Sequence, residues 1–367
     1  MKSKVLAYYL PAFHEIEENN KWYGKGFTEW DNTRKGKELF DGHYQPRIPW
    51  KYYDLLDDSV VIEQMKMAME NGIDGFIYYH YWFNENGYKI LEKPLERLLN
   101  INKEQRTNFC VCWANESWKN TWHDGTGEPE MLIEQRYGGR TDWENHFNYL
   151  LKFFKDDKYI KVNNSPMLII YKVESIPKYS EMIEYWRKCA IDNGFSGMYI
   201  VRLYTSHKVD KLSFPCDAEA DFEPGYTLSC DIKKNIFNLW RVKNFIYWKL
   251  YGKDWFSKRF LNKVNYDAFY RSLLKKTYKS NKKICSIVTD WDNSPRKGRR
   301  GTIFVGGSAE KFAYYLEKVK EYAESMDIPY IFCFAWNEWG EGGYLEPDYK
   351  NGDAYLKSVK RIMKGEN

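Results

Sequence analysis

The sequence predicts an α/β fold, a (β/α)8 TIM barrel with long βα-loop insertions. Three observations carry that expectation. Short apolar runs alternate with helical patterns along the chain, and eight such runs can be read. The runs are mostly continuous in hydrophobicity, as strands are when helices cover their outer face. The signatures of the doubly wound alternative, Gly-x-Gly-x-x-Gly and the Walker A loop, do not occur. The 367 residues suffice for two ordinary domains or one large barrel. No Ser- or Gly-rich linker divides the chain, so one decorated catalytic domain over 1–367 is expected.

The elements follow in order. The first run is 4–10, then 74–82 (DGFIYYHYW), 108–115 (NFCVCWAN) and 166–172 (PMLIIYK). Next come 198–204 (MYIVRLY), 217–222 (DAEADF), 284–292 (ICSIVTDWD) and 329–336 (PYIFCFAW). The sixth is weak by itself and is taken from its place in the series. Between runs, Val61, Met65, Ala68 and Met69 share a helical face, with Gly72 as a natural stop. Thr141 and Glu144 have capping-box spacing ahead of Phe147, Leu150, Leu151 and Phe154. Phe312, Leu316, Val319 and Ala323 repeat the pattern before the last run. Long insertions are expected at 11–57, 117–140 and 223–283.

Composition excludes several classes. Hydrophobic residues make up 43% of the chain, which excludes disorder. Mean hydropathy is −0.70 and no apolar run reaches about 18 residues, so no membrane span is expected. The apolar start is too short for a signal peptide, and a cytoplasmic location is expected. The seven Cys are scattered and read as reduced, mostly buried thiols. No His-x-x-x-His or related set occurs, so neither a metal site nor a cofactor is nominated.

The net charge of +5 is unevenly spread. Residues 233–283 hold fifteen Lys and Arg against Asp254 and Asp267, a net of +13, which leaves −8 elsewhere. Within it, 233–263 mixes nine aromatic with nine basic residues. Two readings stay open: a helical insertion packed on the barrel with solvated charges, or peripheral contact with an anionic membrane. A nucleic-acid partner is not expected, because nothing else in the chain supports one.

In such barrels the active site lies at the carboxyl ends of the strands. That rule selects Tyr8, Tyr9, Tyr79, His80, Trp82, Asn115, Glu116, Glu223, Trp291, Asp292, Arg296, Trp336 and Asn337 as candidate sugar contacts. His43, on the first insertion, has polar aromatic company and joins them. Asp290-Trp291-Asp292 matches the Asp-x-Asp of metal-dependent sugar transferases, a weak three-residue pattern. The richest segment is AWNEWGEGGYLEPD, 335–348. There Glu338 and Glu341 are three residues apart, and Gly340, Gly342 and Gly343 permit a turn that brings them together. Paired carboxyls are the usual equipment for glycosidic-bond chemistry, and burial can keep one of them protonated. Two solvated loop carboxylates are the plainer alternative. Asn115-Glu116 is a competing acid/base arrangement, with sugar or arginine contact as its simpler role.

At these residues the sequence becomes recognisable. It resembles the WbsX-type family of bacterial polysaccharide-biosynthesis proteins, described as glycosyltransferases and related to glycoside hydrolase family 99, the endo-α-mannosidases. The resemblance covers AYYLPAFHEIEENNKWYGKGFTEWDNT (7–33), GHYQPRIP (42–49), YYHYWF (78–83), CWANESW (112–118), DWDNSPR (290–296) and FAWNEWGEGGYLEPD (334–348). Its first two motifs add Glu29, Trp30 and Tyr44 to the candidate contacts. The resemblance implies a (β/α)8 barrel and an oligosaccharide or polysaccharide substrate. In the mannosidases the catalytic segment reads roughly Glu-Trp-His-Glu-Gly; here both carboxylates align and Gly340 replaces the His. By that similarity Glu341 is the general acid/base, and Glu338 assists the 2-hydroxyl through a 1,2-anhydro intermediate with net retention. The functions in play are a retaining enzyme on bacterial surface polysaccharide of the O-antigen or capsule type, a glycosyltransferase of lipopolysaccharide or O-antigen biosynthesis using an activated sugar, and a non-catalytic glycan-binding barrel.

Overall fold

The computed structural model describes residues 2–84, 87–120, 130–208, 213–234, 246, 249–250, 261–278 and 283–365. Eight strands form a closed, all-parallel barrel: β1 (Lys4–Tyr9), β2 (Gly75–Asn84), β3 (Asn108–Trp113), β4 (Ser165–Ile170), β5 (Tyr199–Tyr204), β6 (Ala218–Asp221), β7 (Lys283–Val288) and β8 (Tyr330–Phe334). Each pairs with the next, and β8 pairs with β1 through Val5 opposite Ile331 and Ala7 opposite Cys333. All eight expected strands are present, including the weak sixth, which is only four residues long.

The outer layer is α1 (Asp58–Glu70), α2 (Lys93–Leu98), α3 (Arg140–Phe154), α4 (Tyr179–Asp192), α5 (Gly225–Lys234), α6 (Tyr266–Thr277), α7 (Ala309–Ser325) and α8 (Ala354–Lys364). No helix joins β5 to β6 among the described residues. Helix α1 begins where the Asp57 side chain accepts from the Ser59 amide, and it buries Val61, Met65 and Ala68 as its periodicity requires. Helix α7 buries Phe312, Leu316, Val319 and Ala323. The start of α3 differs from expectation. Thr141 lies inside the helix, and the reciprocal contact runs from the Gly139 amide to the Asp142 carboxylate at 3.1 Å. The chain therefore enters the helix two residues before the Thr141–Glu144 pair could cap it.

The insertions lie where expected. The first carries short helices at Glu17–Tyr23 and Glu29–Arg34. The second forms an antiparallel pair between Trp118–Lys119 and Met131–Ile133. The third contributes α5, α6 and the strand Asn262–Asn265, which pairs in parallel with Thr302–Val305. Most of the basic stretch 233–263 lies outside the described residues. All seven Cys are free. Among the described residues no helix is long and apolar enough to cross a membrane.

Barrel register decides which strand residues face inward. Along β1, Tyr8 points into the barrel, stacked on Tyr79 at 5.5 Å and edge-on to Phe222 at 5.4 Å. Its neighbour Tyr9 points outward, and its hydroxyl donates to Gln64 of α1 at 2.6 Å. The same alternation along β2 turns Tyr79 and Tyr81 inward and His80 and Trp82 outward.

Candidate active site

A cavity of about 790 Å³ opens at the carboxyl ends of the strands. Its walls include Tyr79, Tyr81, Trp118, Tyr137, Tyr171 and Phe334. One polar wall holds Glu29, Arg296, Glu338 and Glu341; the opposing polar group is Asn115, Glu116 and Lys172.

The carboxylate pair is built by a tight turn. Asn337–Glu338 pairs antiparallel with Gly343–Tyr344, and Trp339–Glu341 closes the loop as a single 3-10 turn. Gly342 carries φ +69°, and a Cβ there would lie 2.9 Å from the Asp292 amide. At Gly340 a Cβ would lie 2.1 Å from Glu29 Oε1 and 2.9 Å from Arg296 Nε. The space that a side chain at 340 would need is therefore filled by the Glu29–Arg296 ion pair.

Arg296 is the centre of the charge cluster. Its Nη2 approaches Glu29 at 2.6 Å and Glu338 at 3.5 Å, and its Nη1 meets Glu341 at 2.9 Å. Three carboxylates thus share one guanidinium in a largely buried site. Burial pushes the Glu338 carboxyl up to about 8; Arg296 opposes that shift, while Glu341 and Glu29 add to it. Burial thus favours the protonated form of Glu338. Burial also raises Glu29. Tyr171, which also lines the cavity, is raised by burial and then by the charges of Glu116 and Glu341.

Several residues brace this arrangement from outside the cavity. The Asp292 amide donates to the Glu341 carbonyl at 2.7 Å. One Asp292 oxygen pairs with His43 Nε2 at 2.7 Å and accepts from Gln45 Nε2 at 2.7 Å. Burial would raise Asp292, but the His43 bond, the Arg47 charge and the Gln45 bond outweigh it and hold it at about 2. On the other side, Glu346 accepts from Trp339 Nε1 at 2.7 Å, Tyr53 hydroxyl at 2.8 Å and Gln64 Nε2 at 2.6 Å. Asn337 fixes β1 to β8 by bonding both the amide and the carbonyl of Leu10.

Of the residues selected from the sequence, Glu29, Tyr79, Asn115, Glu116, Arg296, Glu338 and Glu341 line the cavity. Asn115 acts mainly through its neighbour: it exchanges two 2.8 Å bonds with the Lys172 backbone. Glu116 is ion-paired with Lys172. Tyr8 lies beneath Tyr79, and Trp291 packs on Phe334 at 5.5 Å. Tyr44 is outside the lining, beneath the Arg47 guanidinium. The others proposed as sugar contacts are placed elsewhere by strand alternation and packing. Tyr9 and Trp336 are in the layer between barrel and helices, Trp336 against Phe76 at 5.0 Å. His80 bonds His146 at 2.9 Å, and Trp82 stacks on His146 at 4.6 Å. Burial pushes both His down, His80 to about 3, so both are neutral. Trp30 donates to the Tyr53 carbonyl. Glu223 bonds Thr227 beside a separate small crevice.

Sequence reasoning missed Tyr81, Trp118, Tyr137, Tyr171, Lys172 and Glu346. Three of these had a readable signal. Tyr81 is two residues from Tyr79, hence on the same face of the strand. Tyr171-Lys172 closes the run 166–172, where the strand-end rule applies. Among the described residues no group of three His, Cys, Asp or Glu could hold a metal ion.

The sequence profile of the family described as Glycosyltransferase WbsX matches residues 5–359. The chain belongs to the WbsX family. A WxcX protein of Xanthomonas campestris pv. campestris is 29% identical over 371 residues, covering 99% of this chain and 50% of that protein. The chain thus spans about half the length of the curated relatives it matches. Among solved structures, the GH99 endo-alpha-mannosidase of Bacteroides thetaiotaomicron aligns with TM-score 0.56 at 13% identity, over 98% of this chain and 96% of that one. A glycoside hydrolase-like protein aligns with TM-score 0.59 at 13% identity, over 99% and 94%. At these identities the structural likeness speaks for the (β/α)8 barrel. In this chain Glu338 and Glu341 sit on one turn beside Arg296.

Proposed function

We propose that this WbsX-family protein is a retaining enzyme that acts on glycosidic bonds of a bacterial surface polysaccharide of the O-antigen or capsule type. The observation that supports this most is the Glu338–Glu341 turn, gripped by Arg296, in a large cavity walled by aromatic rings. The fold shared with an endo-alpha-mannosidase is consistent with it.

Glu341 protonates the glycosidic oxygen as the C1–O bond breaks. Glu338 takes the proton of the 2-hydroxyl while O2 bonds to C1, giving a 1,2-anhydro sugar. Water then attacks C1, yields its proton to Glu341, and O2 recovers its proton from Glu338. These roles follow the family resemblance. Burial favours the protonated form of Glu338, and Glu341 is ion-paired with Arg296 at 2.9 Å. In these roles Glu341 acts in its protonated form and Glu338 in its ionised form, so the glycan has to loosen the Arg296–Glu341 contact on binding. The direct test is incubation with purified O-antigen and capsular polysaccharides, following new reducing ends and their anomeric configuration by proton NMR. Release with retained configuration is expected; release with inversion would remove the anhydro route.

The second reading is glycosyl transfer from an activated donor. The family description and the cations Lys119 and Lys297 on the cavity wall favour it. Transfer predicts stabilisation by nucleoside diphosphates with manganese in a thermal-shift titration. For a pure hydrolase the melting temperature stays flat. Peripheral contact of 233–263 with an anionic membrane, at the inner face of which lipid-linked glycans are assembled, belongs with this reading.

A further inference from the structure

The first insertion and the segment that follows β8 meet in a second structure outside the cavity. Ile48–Trp50 runs antiparallel to Pro347–Tyr349, with Pro49 paired to Asp348. The Trp50 amide donates to the Pro347 carbonyl at 3.1 Å, and the Tyr349 amide to the Ile48 carbonyl at 2.9 Å. Alternate residues of extended chain share a face. Ile48, Trp50, Pro347 and Tyr349 therefore form one face of a two-stranded ribbon. Asp348 faces the other way, 1% exposed, and accepts from the Tyr344 hydroxyl at 2.6 Å and Asn351 Nδ2 at 2.8 Å.

The outer face is open. Trp50 is 76%, Tyr349 78% and Ile48 42% exposed. Large aromatic rings exposed together on a paired ribbon are candidates for a recognition surface. Four further observations identify the occupant. Both strands of the ribbon leave β1 and β8 at their carboxyl ends, so the ribbon stands on the same face of the barrel as the cavity. Beside Trp50 a crevice of about 70 Å³ has a mostly apolar and aromatic lining that includes Pro49, Tyr53, Trp339 and Pro347, with the exposed Lys51 and Glu63 able to bond hydroxyls. Lys51 is matched by Glu63 at 3.8 Å, which favours an uncharged ligand over an anionic one. The open face is also far smaller than the roughly 20–30 residues per side of a stable protein interface.

We propose that this ribbon is a second glycan-binding site, which stacks the C–H faces of neutral pyranose units on Trp50 and Tyr349 and holds a polymer on the catalytic face. It rests on the reading of the cavity as a glycan site for the class of ligand alone. The test is affinity electrophoresis of the full chain in native gels containing yeast mannan or dextran. The wild-type protein is expected to be retarded in at least one of them. Trp50→Ala/Tyr349→Ala should weaken that retardation at least about tenfold in apparent Kd, with the melting temperature unchanged because both rings are exposed. Trp50→Phe/Tyr349→Phe, which keeps aromatic faces, should restore most of it. Retardation that is absent in both gels, or untouched by the double alanine change, overturns the proposal. So does a change of apparent mass on gel filtration in that variant, which would make the patch a contact between proteins. Glu341→Gln separates the two readings. Loss of cleavage with retardation intact supports both. Ring-dependent retardation in a wild-type protein that cleaves nothing leaves the ribbon standing without the catalytic reading.

Discussion

Glu338→Gln is expected to lower turnover by at least about 100-fold, the usual scale of a lost acid/base group, while making the folded protein more stable at pH 8. The activity loss follows from position, since Glu338 lines the cavity on the catalytic turn. The stability gain follows from linkage. The folded-state value of Glu338 is raised from the usual 4.5 to about 8. Between those values the folded protein holds a proton that the unfolded chain has released. The favourable contribution of the protonated group is complete below about pH 4.5 and declines as pH rises, until it is exhausted near 8. Gln mimics the protonated form at every pH. The stability difference between variant and wild type should therefore grow from about pH 5 to pH 8. Urea unfolding at three pH values, with reducing-end assays at each, measures both. A variant that is as active as wild type removes Glu338 from the chemistry. A stability difference that does not change with pH would mean the carboxyl is ionised in the native site. Glu341→Gln should match the activity loss.

The second large effect is expected for Arg296→Met. Removing one partner of a buried ion pair typically costs about 3–5 kcal/mol, because the remaining charge is left without compensation. Here one guanidinium serves Glu29, Glu338 and Glu341, with Tyr79, Tyr81 and Tyr171 as the other titratable groups facing the cluster. Without it, carboxyls must take up protons in the folded state. Raised carboxyl values make stability fall as pH rises, so the deficit relative to wild type should widen between about pH 5 and pH 8. Arg296→Lys keeps the charge but loses the fork that reaches two carboxylates at once. It should recover part of the stability and little of the activity. Equal stability of Arg296→Met and wild type at pH 8 would show that the cluster is balanced by solvent rather than by Arg296.

How much of this was legible depends on the distance over which the information acts. The strands could be read because burial beneath helices makes them continuous apolar runs, and even DAEADF was recoverable from its place in the series. The Glu338–Glu341 turn was legible because its glycines and carboxylates are neighbours in the chain. Inward and outward faces were not. Tyr79 and His80 look equally suited to a sugar site, and only the register of β2 against β1 and β3 sends one to the cavity and the other to His146 of α3. Nor was the cap of α3, where Asp142 rather than Glu144 closes the turn.

The sequence by itself determined the barrel, the strand ends where chemistry can occur and the carboxylate pair, since local hydrophobic pattern and short-range turn chemistry encode all three. Only the tertiary structure decided that Glu29, 267 positions from Arg296, fills the space above Gly340. It also decided that Glu338 is buried, so that desolvation raises its carboxyl. The physical reason is that desolvation and ion pairing depend on which distant segments pack together, and nothing in the local pattern around either residue records that.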